Sequence, residues 1–124
     1  MKQERWQRTR RLVDAMLERK GEDVVVLDVS DVTSFADTFI IATGRSERNV
    51  QAIVDAVVEA ARAGGEKPLG VEGYDEGRWV LVDLADVIVH VFVHEAREEY
   101  QLERLYSDAL PVELARAPAT GGLR

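Results

Sequence analysis

Apolar positions recur along this chain in two rhythms. Val50, Ile53, Val54, Val57, Val58 and Ala61 fall at i, i+3, i+4, i+7, i+8 and i+11, the stripe of an amphipathic α-helix. Ser46 precedes the stripe as an N-cap, Glu47 sits in the first turn, and Gly64-Gly65 ends it. A second helix is predicted from about Glu4 to Lys20, with Trp6, Leu12, Val13, Met16 and Leu17 on its apolar side and a stop at Lys20-Gly21. Arg5, Arg8, Arg10 and Arg11 read as the wet face of that helix rather than as an RNA patch. A third helix is predicted over Glu95 to Ala109, with Tyr100, Leu102, Leu105, Tyr106 and Ala109 available for packing and Pro111 as its limit.

The other rhythm is that of strands. Val24 to Val29 and Thr38 to Thr43 are short apolar runs, and Phe35 in the connection between them is expected to tuck into the core. A short strand follows around Leu69 to Glu72, then a turn through Gly73 to Gly77. The densest stretch is Arg78 to His94, two runs rich in β-branched residues around Leu84-Ala85-Asp86-Val87. It predicts a hairpin. Alternate side chains of a strand face opposite ways, so an even-length turn would gather Val80, Val82, Val87, Val89 and Val91 on one aliphatic face. Trp79, Leu81, Asp83, Ile88, His90 and Phe92 would share the other. The aliphatic face suits a core. The mixed face must lie under a helix or meet another molecule.

Helix, two strands, helix, strand, hairpin, helix is the order of a single α/β domain with a mixed β-sheet packed by helices, because a hairpin forces an antiparallel pair. The domain is expected over residues 1–110. Residues 111–124, small and rich in Pro and Gly, are expected to be a flexible tail.

Composition removes several kinds of chemistry. With no cysteine among the 124 residues there is no disulfide, thiolate metal site or thiol nucleophile, which fits a cytoplasmic protein. No apolar run is long enough for a membrane span. A net charge of −7 disfavours nucleic acid as the direct partner and favours a basic protein surface. His90 and His94 lie four apart, but on a strand that spacing is about 13 Å, too far for one metal ion. Gly44-Arg45-Ser46 stands where a strand meets a helix N-terminus, a place where a phosphate can be held. It carries the alternative reading, a nucleotide-binding or nucleotidyltransferase-like enzyme. The turn lacks the glycine density of known phosphate loops, and no paired carboxylates accompany it to hold Mg²⁺. The residues therefore favour a binding module over an enzyme, with no cofactor.

Two ordered sets of residues then carry a resemblance. One is Ala36-Asp37-x-Phe39-x-Ile41-Ala42-Thr43-Gly44-x-Ser46. The other runs through Glu72-Gly73, Trp79-Val80-Leu81-x-Asp83-x-x-Asp86-Val87-x-Val89-His90-Val91-Phe92 and Arg97-x-x-Tyr100-x-Leu102-Glu103-x-Leu105. Together they resemble the signature of the ribosomal silencing factor family, also called Iojap-like, over about Leu12 to Leu105. The resemblance implies a nucleotidyltransferase-like topology without established catalysis. It also implies a translational repressor that binds large-subunit ribosomal protein fourteen, blocks joining of the small subunit when nutrients are scarce, and is often a homodimer. Carried over onto this chain, it makes Trp79, Leu81, Asp83, Asp86, His90, Phe92, Arg97, Tyr100 and Glu103 the expected partner-binding residues. Ala85 stands where the family often has Gly, Glu99 where it often has an aromatic residue, and Tyr106 where it often has Trp.

Overall fold

A computed structural model describes residues 3–106 and 108–112. The elements follow in the order α1 (Gln3–Glu18), β1 (Glu22–Asp28), β2 (Thr38–Gly44), α2 (Glu47–Ala63), β3 (Gly70–Glu72), β4 (Trp79–Asp83), β5 (Val87–Val93), α3 (His94–Tyr100), α4 (Leu102–Leu105) and β6 (Leu110–Pro111). The strands form one mixed sheet in the order β3-β4-β5-β2-β1-β6. The central pair, β2 with β5, is parallel, and every other pair is antiparallel.

The hairpin register is the one its alternation predicts. Trp79 opposes Phe92, Leu81 opposes His90 and Asp83 opposes Ile88, so these six side chains share a face. Leu84 N–H donates to the Val87 carbonyl at 2.9 Å, which leaves Ala85 and Asp86 as a two-residue turn. Ala85 has φ +75° there, the left-handed region that Gly enters at least cost. The Asp83 carboxylate accepts from Ala85 N–H at 2.9 Å and holds the turn shut.

On the aliphatic side, Val80, Val82, Val87, Val89 and Val91 are buried with Ile40 and Ala42 of β2. The stripe Val50, Ile53, Val54, Val57 and Ala61 of α2 belongs to the same core. Ser46 Oγ accepts from Asn49 N–H at 3.0 Å and caps α2, as its position predicts. Outside α2 lies α1, with Trp6, Leu12, Val13 and Met16 buried and Leu17, against expectation, half in solvent. Leu17 lies just past the buried arc of α1, where the helix is already turning away from the core.

Arg8 corrects a second expectation. It is no part of a wet face, because its guanidinium reaches Glu66 at 2.6 and 2.7 Å and both carboxylate oxygens of Asp86 at 2.9 Å. It thereby ties α1 to the loop after α2 and to the hairpin turn. The predicted third helix is broken. Gln101 adopts φ 46°, ψ 54°, so α3 ends at Tyr100 and α4 starts at Leu102. Leu110 and Pro111 then pair with Asp28 and Leu27 as a short edge strand, and Val112 N–H donates to the Val26 carbonyl at 2.9 Å, so residues 111 and 112 are held to the sheet rather than in a tail. The rest of the predicted tail, 113–124, lies outside the described residues.

Candidate functional site

The face of the sheet opposite α2 carries a file of rings. Phe35 meets Phe39 at 6.1 Å between centroids. Phe39 meets Tyr106 and His90 edge-on, at 4.9 and 5.0 Å. The Trp79 ring lies over Phe92 at 5.0 Å and against Tyr100 at 4.7 Å. The file crosses β2, β5 and β4 because partners in register put their side chains on the same side.

Its members differ in depth. Phe39, His90 and Phe92 are buried, and Trp79 and Leu81 are half-buried. Tyr100 is 44 % exposed, Phe35 60 % and Leu105 75 %. Two expected partner-binding residues are thus corrected. Phe92 and His90 are floor, enclosed by Trp79, by Phe39 and by the α3–α4 segment, and present no surface to a partner. Phe35 is corrected the other way, because the loop before β2 leaves its ring at the surface, tilted against Phe39, instead of in the core.

His90 is the chemically unusual member of the floor. Trp79 Nε1–H donates to His90 Nδ1 at 3.2 Å. A ring nitrogen that accepts carries no proton, so the neutral imidazole holds its proton on Nε2. Nε2 is buried and has no partner among the described residues. Burial pushes the imidazole pKa down from 6.5 to about 4, so the ring is neutral near pH 7.

The remaining expected residues have internal partners. Arg97 donates to Glu103 at 2.7 and 3.2 Å, to Thr43 Oγ1 at 2.8 Å and to the Asp23 carbonyl at 2.6 Å. It pins the kinked α3–α4 segment to the sheet and engages Glu103. Asp86 is held by Arg8, and Asp83 caps the turn. The apolar residues left at the surface are Leu81, Trp79 in part and Tyr100, with Phe35 at the Phe39 end of the file and Leu105 on α4, both of which the sequence predicts to pack inward. Around them α3 exposes Glu95, Glu98 and Glu99, the last paired with Arg78 at 2.7 Å.

The alternative site is built differently from a phosphate loop. A Cβ on Gly44 would stand 2.7 Å from Val50 Cγ2 and 2.9 Å from Val50 N, so glycine there lets α2 start hard against β2. The amides of Arg45 and Asn49 are already bonded, to Asn49 Oδ1 and Ser46 Oγ. His94 begins α3 and lies beside Glu98 at 3.5 Å, away from His90. Among the described residues no three His, Cys, Asp or Glu side chains gather as a metal site. No described helix is long and apolar enough to cross a membrane.

The model of the family described as "Ribosomal silencing factor during starvation" matches residues 2–121. The chain belongs to this family. It is 44 % identical over 102 residues to ribosomal silencing factor RsfS of Halalkalibacterium halodurans, covering 82 % of this chain and 87 % of that one. The Bacillus subtilis member is also 44 % identical, over 92 residues, covering 74 % of this chain and 78 % of the relative. More distant is the mouse protein named mitochondrial assembly of ribosomal large subunit protein 1, at 28 % identity over 77 % of this chain and 43 % of its own. Among solved structures, a Chromobacterium violaceum protein superposes with a TM-score of 0.81 at 34 % identity, covering 94 % of this chain and 98 % of that one. A Bacillus halodurans protein superposes with a TM-score of 0.75 at 39 % identity, covering 85 % and 95 %. The family so identified is the one that the signature residues resemble, and its solved members share the mixed α/β fold.

Proposed function

We propose that this chain is a translational repressor of the bacterial cytoplasm that docks on the large ribosomal subunit and keeps the small subunit from joining when nutrients are scarce. The docking partner is large-subunit ribosomal protein fourteen, and the docking surface is the exposed rim of the aromatic file. One observation supports that location above the others. Leu81, Trp79, Tyr100, Phe35 and Leu105 leave apolar surface uncovered over a floor that is rigidly packed, which is how protein anchors are built. The acids of α3 beside it complement a basic ribosomal protein. The same apolar rim suits a second copy of the chain, so a homodimer and the subunit complex would compete for it.

Sedimentation with purified large subunits, run beside a subunit-joining assay, tests the reading. The chain is expected to co-migrate and to slow joining. Tyr100→Ala with Leu105→Ala should weaken both by at least about tenfold while costing only about 1 kcal/mol of stability, the part owed to the Tyr100 ring that rests against Trp79. Absence of the wild-type chain from the subunit fraction overturns the proposal.

A further inference from the structure

On the other face of the sheet, a groove of about 510 Å³ runs between α2 and β3. Val54, Val58 and Val71 form its floor, and Tyr74, Asp55 and Glu59 rise around them. Val71 is 40 % exposed, and Leu69, one residue before β3, is 72 % exposed. The wall is held in advance. Tyr74 O–H donates to Asp55 at 2.9 Å, and Gln51 Nε2 donates to the Tyr74 carbonyl at 2.7 Å. Among the described residues β3 is also an end strand, with β4 on one side and no strand on the other. Such an edge offers backbone groups to any extended chain that reaches it.

Charge selects among such chains. Glu59 stands at the α2 lip, and Glu72, Asp75 and Glu76 lie on the strand side and in the following turn. Among the described residues none of these four carboxylates is in an ion pair. Arg62 is the one cation of the lining. The same edge of a second copy would bring its own Glu59, Glu72, Asp75 and Glu76 against these four and be repelled. A cationic strand would be attracted.

We propose that this groove binds an extended, Lys- or Arg-bearing segment of a partner protein, added as a strand to the free edge of β3. Side chains of such a strand alternate between faces. Those on the α2 side are apolar and settle on Val58 and Val71. Those on the other side are basic and meet Glu72, while Glu59 draws the segment to the groove from the lip. The apolar groove lies on the opposite face from the aromatic file, whereas Glu72 opposes Leu81 and shares the face of the file beyond its β4 end.

Titrating isotope-labelled protein with a short capped peptide of alternating Lys and Val, followed by amide and methyl shifts, tests it. The controls are a peptide of the same composition with Lys and Val in separate blocks, and an alternating Glu-Val peptide. The expected result is saturable shifts at Leu69 to Glu72, Val58 and Tyr74, little change at Tyr100 and Leu105, and no saturation with either control. In Glu59→Lys with Glu72→Lys the affinity should fall at least about tenfold. Both side chains are exposed, and an unfolding curve verifies that the variant is folded. If it is not, the wild-type map decides alone. No saturable shift, equal shifts with the block peptide, shifts scattered over every acidic surface, or pairing of β3 with β3 of a second copy would each overturn the proposal.

Discussion

His90 is the residue whose chemistry is most altered by folding. It titrates near 6.5 in an unfolded chain and near 4 in the folded one. Between those values the unfolded state binds more protons than the folded state, so stability falls as pH drops through that window. The full difference corresponds to about 3 kcal/mol, present above pH 6.5 and lost by about pH 4. Urea unfolding at about pH 7.5 and pH 5 should show a loss of about 2 kcal/mol in the wild type beyond that of His90→Gln, which keeps an acceptor for Trp79 without titrating. Equal losses in both proteins would mean that the buried imidazole does not govern acid sensitivity.

Among the elements, the α3–α4 segment is the one that shapes the docking face, and Arg97 holds it. Its guanidinium bonds to Glu103, Thr43 and the Asp23 carbonyl from a side chain that is only 12 % accessible. Arg97→Gln is expected to cost about 1–3 kcal/mol, the range for a hydrogen-bonded charged group. It should also speed amide exchange at Leu102 to Leu105 far more than in α2. Uniform acceleration through the molecule would instead show a general loss of stability.

Legibility follows the range over which each element is determined. The α2 stripe and the hairpin register are local patterns, and both are seen where periodicity puts them. The break at Gln101 has no Gly or Pro to announce it; Arg97 bonds across it to Glu103 and reaches Asp23 and Thr43, partners far away in sequence. Arg8 bonds to partners 58 and 78 residues away, so its position on an amphipathic helix suggested only solvent. For the site, the residues that share the mixed face were legible from alternation. Which of them are floor and which are rim was not, because that depends on how far a kinked helix reaches over the sheet.

At the scale of the molecule, the seven excess negative charges act on encounter more than on the bound state. Association with large subunits should therefore slow steeply as salt rises, by about tenfold between about 0.05 and 0.3 M, with dissociation changing much less. Stopped-flow mixing of labelled chain with subunits measures both rates. A salt-independent association rate would leave apolar contact as the sole basis of recognition.

The parallel pairing of β2 with β5 has a consequence for how the chain is made. Its partners lie 49 residues apart, Thr38 with Val87 and Gly44 with Val93. Until the ribosome has released β5, the middle of the sheet is missing, and β1 and β2 have only each other and the helices beside them. Such distant pairing is slow to form and leaves strand edges bare while it is pending. The newborn polypeptide therefore acquires its native shape only once β5 has emerged to pair with β2, in a late and concerted step.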